Sequence, residues 1–249
     1  MSLTKVKMLD VIKKQYVYKL KAYIQVFMTL VILQLLAILF SFNGVGGSGG
    51  GSSTINFERH YYSADIVVSF TLLWGFITAV LITTKAYRND DFVFVTNRVS
   101  NNLANMFFAL TASIIGAITA MLSTYLIKVI MYFFAGNTFV KSINEIAGPS
   151  EFLLGIFATT LYIFLFSALG YFVGTLVQIN KLFVVVLPAL LFGSIFLLEG
   201  RGNPGIVQTT YEFIFTESSM PLFIVKIIVS AGLLFSAAFV ISNRMEVKQ

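Results

Sequence analysis

The chain has 249 residues with no cysteine and one histidine; 57% of it is hydrophobic, 11% is charged, and the net charge is +6. An ordinary soluble domain is about 45–50% apolar and about 25% charged, so most of this chain lacks a water-facing surface and suits a bilayer as its solvent. Without cysteine there is neither a disulfide framework nor a thiolate metal site, and His60 alone makes no histidine-pair zinc motif. The positive balance does not point to nucleic acid, because the basic residues flank apolar runs rather than forming a stripe on a soluble domain.

In chain order, Leu3, Val6, Leu9, Ile12 and Tyr16 come first, separated by Lys5, Lys7, Lys13 and Lys14. This three-to-four spacing predicts an amphipathic helix within residues 1–21, lying along the inner leaflet with its lysines toward anionic lipid. A spanning helix needs about 20 largely apolar residues. Six stretches meet that need, at residues 22–42, 64–84, 103–134, 152–178, 182–198 and 221–242. The first is longer than the apolar core of a secretory signal, so it is expected to be retained. The third exceeds one crossing and should tilt or project. The fifth is short and carries Pro188, which predicts a kink. None of the runs alternates with period two, which favours helices over a barrel. The expected fold class is therefore all-α: a polytopic membrane protein with six transmembrane helices and an amphipathic N-terminal interfacial helix. It forms one transmembrane domain over 1–249, with a lead at 1–21, spans within 22–242 and a tail at 243–249. The glycine-rich stretch Gly44–Ser53 reads as a flexible outer loop.

Orientation follows from the basic residues. With the amino terminus inside, only Arg59, Lys128, Lys141, Arg201 and Lys226 of the 17 Lys and Arg fall outside. Both termini are then cytoplasmic, and a multi-pass protein of the bacterial cytoplasmic membrane is expected. The sequence contains no G-x-x-x-x-G-K-[ST] phosphate loop and no H-E-x-x-H. Catalytic residues, metal ligands and bound cofactors are accordingly not expected. The span centres carry no carboxylate, histidine or arginine, which disfavours an ion-coupled relay. Gln34 is the strongest polar group within a span and reads as helix-to-helix glue. Lys128 and Lys226 lie toward outer span ends; snorkelling accounts for them, and an anionic substrate met at an outer vestibule is the sharper alternative.

Small residues recur at packing intervals: Ala112, Gly116 and Ala120 in the third span, Gly170 and Gly174 in the fourth. Such faces let helix backbones approach closely. Between the second and third spans, the inner connection KAYRNDDFVFVTNRVSNN mixes Arg88, Asp90, Asp91 and Arg98 with Phe92 and Phe94. It reads either as a short helix offering aromatic knobs to a cytoplasmic partner or as an inner loop with interfacial aromatics. Between the fifth and sixth spans, Ile206, Val207, Tyr211, Phe213, Ile214 and Phe215 make the outer connection too apolar for a free loop. A capping or partly re-entrant segment fits, with Glu199, Arg201, Glu212 and Glu217 toward water.

With the basic lead from Leu3 to Leu20, the inner connection from Lys85 to Asn102 and the segment ALGYFVGTLVQINK from Ala168 to Lys181, the layout resembles the six-span permease subunits of type-2 ABC transporters, mostly exporters. The likeness covers nearly the whole chain and is one of architecture. It implies a coupling helix in the inner connection that docks on a separate cytoplasmic ABC ATPase, with Tyr87, Arg88, Asp90, Asp91, Phe92, Phe94 and Arg98 as the matching positions. It also implies a second permease, identical or related, beside this one, and ATP and Mg used by the partner ATPase rather than by this chain. A noncatalytic membrane scaffold or regulatory subunit is the alternative from a different class.

Overall fold

The computed structural model describes residues 7–42, 46–52, 55–61, 63–84, 86–87, 98–134, 148–199, 206–217 and 219–244. Eight helices and one hairpin account for nearly all of these residues. In order they are α1 (Met8–Ala22), α2 (Ile24–Ser41), β1 (Gly46–Ser52), β2 (Ile55–Tyr61), α3 (Asp65–Thr83), α4 (Arg98–Phe134), α5 (Pro149–Ile179), α6 (Phe183–Glu199), α7 (Ile206–Phe215) and α8 (Met220–Arg244). Five of them, α2, α3, α4, α5 and α8, are long and apolar enough to cross a membrane. This is the pattern of a multi-pass membrane protein. α6 is equally apolar but has 17 residues and contains Pro188. At about 1.5 Å per residue it extends about 25 Å, against a hydrocarbon core of about 30 Å. α4 has 37 residues, or about 55 Å by the same rise.

One expectation changes. Part of the glycine-rich segment is a strand: β1 pairs antiparallel with β2, in register from Gly46 opposite Tyr61 to Ser52 opposite Ile55. β1 reads GGSGGGS. With almost no side chains to pack, its pairing is carried by the backbone ladder, which is why a side-chain pattern did not announce it. The helix of the lead is present as α1. Ile12, Gln15, Lys19 and Tyr23 are buried, whereas Leu9 is 77% exposed. The inward face is thus polar at its middle, and Leu9 and Val17 look outward beside Lys13 and Lys14. α1 and α2 are separated by a break at Tyr23.

The chain forms two compact units whose boundaries cut through α1, α3, α4 and α5. One comprises Val17–Gly75 and Phe107–Phe166; the other comprises Met1–Tyr16, Phe76–Met106 and Ser167–Gln249. In the first unit, Ala37 and Ile38 of α2, Val67 of α3, and Ala120 and Ile127 of α4 make a core. The alanines are fully enclosed, so helix axes come close. Gln34 ties the same three helices: its Nε2 donates to Thr71 Oγ1 at 3.1 Å and to the Gly116 carbonyl at 3.3 Å. Trp74 Nε1 donates to Thr29 Oγ1 at 3.1 Å and adds a second α3-to-α2 bond. Hydroxyls elsewhere return to their own helix, as Ser41, Thr71, Ser113 and Ser123 do to the carbonyl four residues earlier. That satisfies them where no water is at hand.

In the second unit, α5 lies against α3 through glycine. A Cβ at Gly170 would fall on the Phe76 carbonyl, 2.9 Å from its carbon and 3.0 Å from the Phe76 Cα. One turn on, a Cβ at Gly174 would collide with Thr83 Oγ1 and sit 3.1 Å from the Val80 Cα. The two glycines therefore serve packing within this chain. Gly116 in the other unit is roomier: a Cβ there would stand 3.1 Å from Thr71 Cγ2 and 3.5 Å from Ile163 Cδ1.

Replacing Gly170 by Ala should destabilise the protein by about 1–3 kcal/mol, because a backbone rather than a flexible side chain must move. Gly232 of α8 has nothing within 4 Å of a built Cβ, so Gly232→Ala should be neutral or slightly stabilising. Thermal unfolding of both variants in one detergent, followed by size-exclusion fluorescence, checks the contrast.

Candidate functional site

The polar groups of the second unit gather on one stripe of α4. Arg98, Asn102 and Asn105 are four and three residues apart, which puts them on one helix face. Arg98 opens the helix. Its Nη1 donates to the carbonyls of Ser242 at 2.9 Å and Asn243 at 3.2 Å, on the last turn of α8. A helix ends with carbonyls that have no partner in their own ladder and with a partial negative charge, so a guanidinium there satisfies both.

One turn along, Asn102 and Asn105 meet Tyr171 of α5. The Tyr171 hydroxyl donates to Asn102 Oδ1 at 2.8 Å, and its oxygen accepts from Asn105 Nδ2 at 3.2 Å. All three residues are buried. The Tyr171 ring in turn packs on α8, its centroid 5.6 Å from that of Phe235 and 6.5 Å from that of Phe239. Tyr171 directly follows Gly170, so the close α3-to-α5 approach fixes where its ring stands. The result is a buried joint in which the start of α4 holds the end of α8 through Arg98 and the middle of α5 through two amides. It is built for positioning. Among the described residues no group of three or more His, Cys, Asp or Glu could hold a metal ion.

The candidate coupling positions divide. Arg88, Asp90, Asp91, Phe92 and Phe94 lie outside the described residues. Tyr87 is half-buried. Arg98 is turned onto α8, so its guanidinium serves the bundle. Of the packing positions, Ala112, Gly116 and Ala120 are buried along α4, and Gly170 and Gly174 are buried on α5.

Of the two lysines expected toward outer span ends, Lys128 is half-buried on α4. Lys226 of α8 pairs with Glu217 and stands 4.8 Å from the centroid of the Phe213 ring of α7. Its charge is therefore answered by a carboxylate of this chain and by an aromatic face. Glu217 was expected toward water and instead turns to Lys226, with its carboxylate also accepting from the Ser219 amide at 3.4 Å. Glu212 is exposed as expected, accepting from Gln208 at 3.0 Å.

Sequence reading missed Asn102 and Asn105 as buried groups, because they stand at the edge of a span and read as part of a polar connection. The signal was present in their register: 98, 102 and 105 continue into Ala109, Ala112 and Gly116, the face on which α4 packs. Comparison of the chain with family models, curated proteins and solved structures returns no match.

Removing the guanidinium should loosen the end of α8 without unfolding the bundle. In Arg98→Gln, amide exchange over residues 240–244 should quicken while exchange within α3 and α5 is unchanged. Hydrogen-exchange mass spectrometry reads both at once.

Proposed function

We propose that this chain is the transmembrane permease subunit of an ATP-binding-cassette exporter in a bacterial cytoplasmic membrane. It forms part of the translocation path and couples to a separate ATPase. The observation that carries the reading is the order of the elements: an amphipathic helix, a one-residue break at Tyr23, paired apolar helices flanking a charged and aromatic connection, and the short helix α7 ahead of the last apolar helix. That order is the one in which this sequence resembles type-2 permeases, and it supports reading α7 as the counterpart of their outer re-entrant segment.

In this reading α6 is the fifth of six spans. Its shortfall in length is met by local thinning or by a helix partner, both of modest cost. α1 is the interfacial helix. Its exposed Met8, Leu9 and Val17 would face the acyl boundary while Lys13, Lys14 and Lys21 meet anionic headgroups at the inner leaflet. Both termini are then cytoplasmic, in keeping with the excess of Lys and Arg on that side. The connection between α3 and α4 faces the ATPase, which supplies the nucleotide chemistry for which this chain has no phosphate loop. A second permease, identical or related, would complete the path, with substrate moved by rearrangement at the interface of the two.

Purification from native membranes in mild detergent, with intact-complex mass spectrometry, tests the reading. Two ATPase copies per two permease chains are expected. Replacing Phe92 and Phe94 with Ala should lower ATPase recovery and leave membrane insertion unchanged. Recovery of the chain alone, under conditions that preserve a known transporter complex, would reject the assignment in favour of a scaffold or regulatory subunit.

A further inference from the structure

The joint at Tyr171 has an unbalanced hydrogen-bond account. Asn102 is 3% exposed. Its Oδ1 accepts from the Tyr171 hydroxyl, yet its Nδ2 meets no partner among the described residues. Turning the amide over does not cure this, because it exchanges an unpartnered donor for an unpartnered acceptor. In the same compact unit, Gln15 on the inward face of α1 is 1% exposed, and neither its Nε2 nor its Oε1 meets a partner among the described residues. An unsatisfied buried polar group costs about 1–3 kcal/mol. Three such atoms on two side chains are a large deficit for one half of an apolar bundle.

The hydroxyl is held by Oδ1 of the same amide and accepts from Asn105, and it makes no bond with Asn102 Nδ2. What Asn102 lacks is an acceptor. What Gln15 lacks is both an acceptor and a donor. An anion would leave the Gln15 carbonyl unpartnered, and an apolar molecule would serve none of the three atoms. Water supplies donor and acceptor from one small molecule, and buried waters characteristically bind polar groups left over in this way.

We infer that this unit holds internal water, with one molecule bound at Asn102 Nδ2 beside the Tyr171 hydroxyl and another at the Gln15 amide. The site is a hydrated joint between α4 and α5 rather than a dry polar contact. It does not depend on the permease reading, since it follows from the balance of donors and acceptors alone.

X-ray hydroxyl-radical footprinting of the full-length chain in nanodiscs tests it, because radicals generated from a bound water modify the side chains beside it even where bulk water does not reach. Tyr171 is 6% exposed and Tyr23 is 5% exposed, so the two are matched in type and burial. Tyr171 should be modified several-fold faster than Tyr23, approaching Tyr132, which is 67% exposed. In Asn102→Leu the Tyr171 rate should fall to that of Tyr23, with Tyr132 unchanged. Equal rates at Tyr171 and Tyr23 in the unaltered protein would overturn the inference without recourse to any variant. So would an Asn102→Leu protein that folds, melts higher than the parent and keeps the parent's Tyr171 rate, since that is the behaviour of a donor that never had a partner.

Discussion

The close seat of α5 on α3 governs much of what surrounds it. Helices in hydrocarbon gain nothing from hiding apolar side chains from one another, because lipid tails are equally apolar, so their association relies on close packing and hydrogen bonds. Gly170 and Gly174 supply the first by removing side chains where Phe76, Val80 and Thr83 approach. Once the two backbones are that near, Tyr171 has little freedom in where it stands. Its ring goes to Phe235 and Phe239 and its hydroxyl to Asn102 and Asn105. A contact made of absent side chains thereby positions a buried tyrosine that joins two amides to α8.

Two of the buried amides that join helices, Gln34 and Asn102, solve one problem differently. Gln34 spends its amide nitrogen on a hydroxyl and a main-chain carbonyl from two other helices, and so closes a three-helix contact. Asn102 closes only its acceptor side. The difference follows from neighbours: Gln34 faces glycine and threonine, which offer oxygen atoms, whereas Asn102 faces a tyrosine whose single hydroxyl already serves two partners. Satisfaction of polar groups in a low-dielectric interior is therefore set locally.

Hydropathy made the apolar helices legible in the sequence because the bilayer imposes length and composition together. Every helix that passes the test begins and ends within a few residues of its expected bounds, apart from α4, which starts at Arg98 rather than Leu103. Facing was less legible. The spacing marks Leu9 and Ile12 alike as apolar positions, yet a membrane-associated helix has two apolar neighbours, lipid and protein, and spacing cannot say which one each residue meets. Ile12 shares the inward face with Gln15 and Lys19, whereas Leu9 is exposed. Pairings across the chain were hidden for another reason. Arg98 with the end of α8, and Asn102 with Tyr171, join residues far apart in sequence, and neither partner carries a local signal of the other. The β1 strand was illegible because glycine has no side-chain pattern to read.

The placement of Arg98 gives the bundle a mechanical property that the proposed assembly would use. It is the first residue of α4 and immediately follows the connection read as facing a partner. Its guanidinium bonds the last carbonyls of α8, and the same face of α4 bonds α5 one turn later. A shift of the first turns of α4 must therefore carry the end of α8 and the middle of α5 along or break hydrogen bonds that are partly or wholly shielded from bulk solvent. The part-buried bond from Arg98 involves a charged group, a class worth about 1.5–3 kcal/mol, and the neutral bonds at Tyr171 contribute about 0.5–1.5 kcal/mol each, which together favour joint movement over separation. Force applied at the connection would thus be shared among three helices at their junction, so a coupling segment need not touch α5 or α8 to move them.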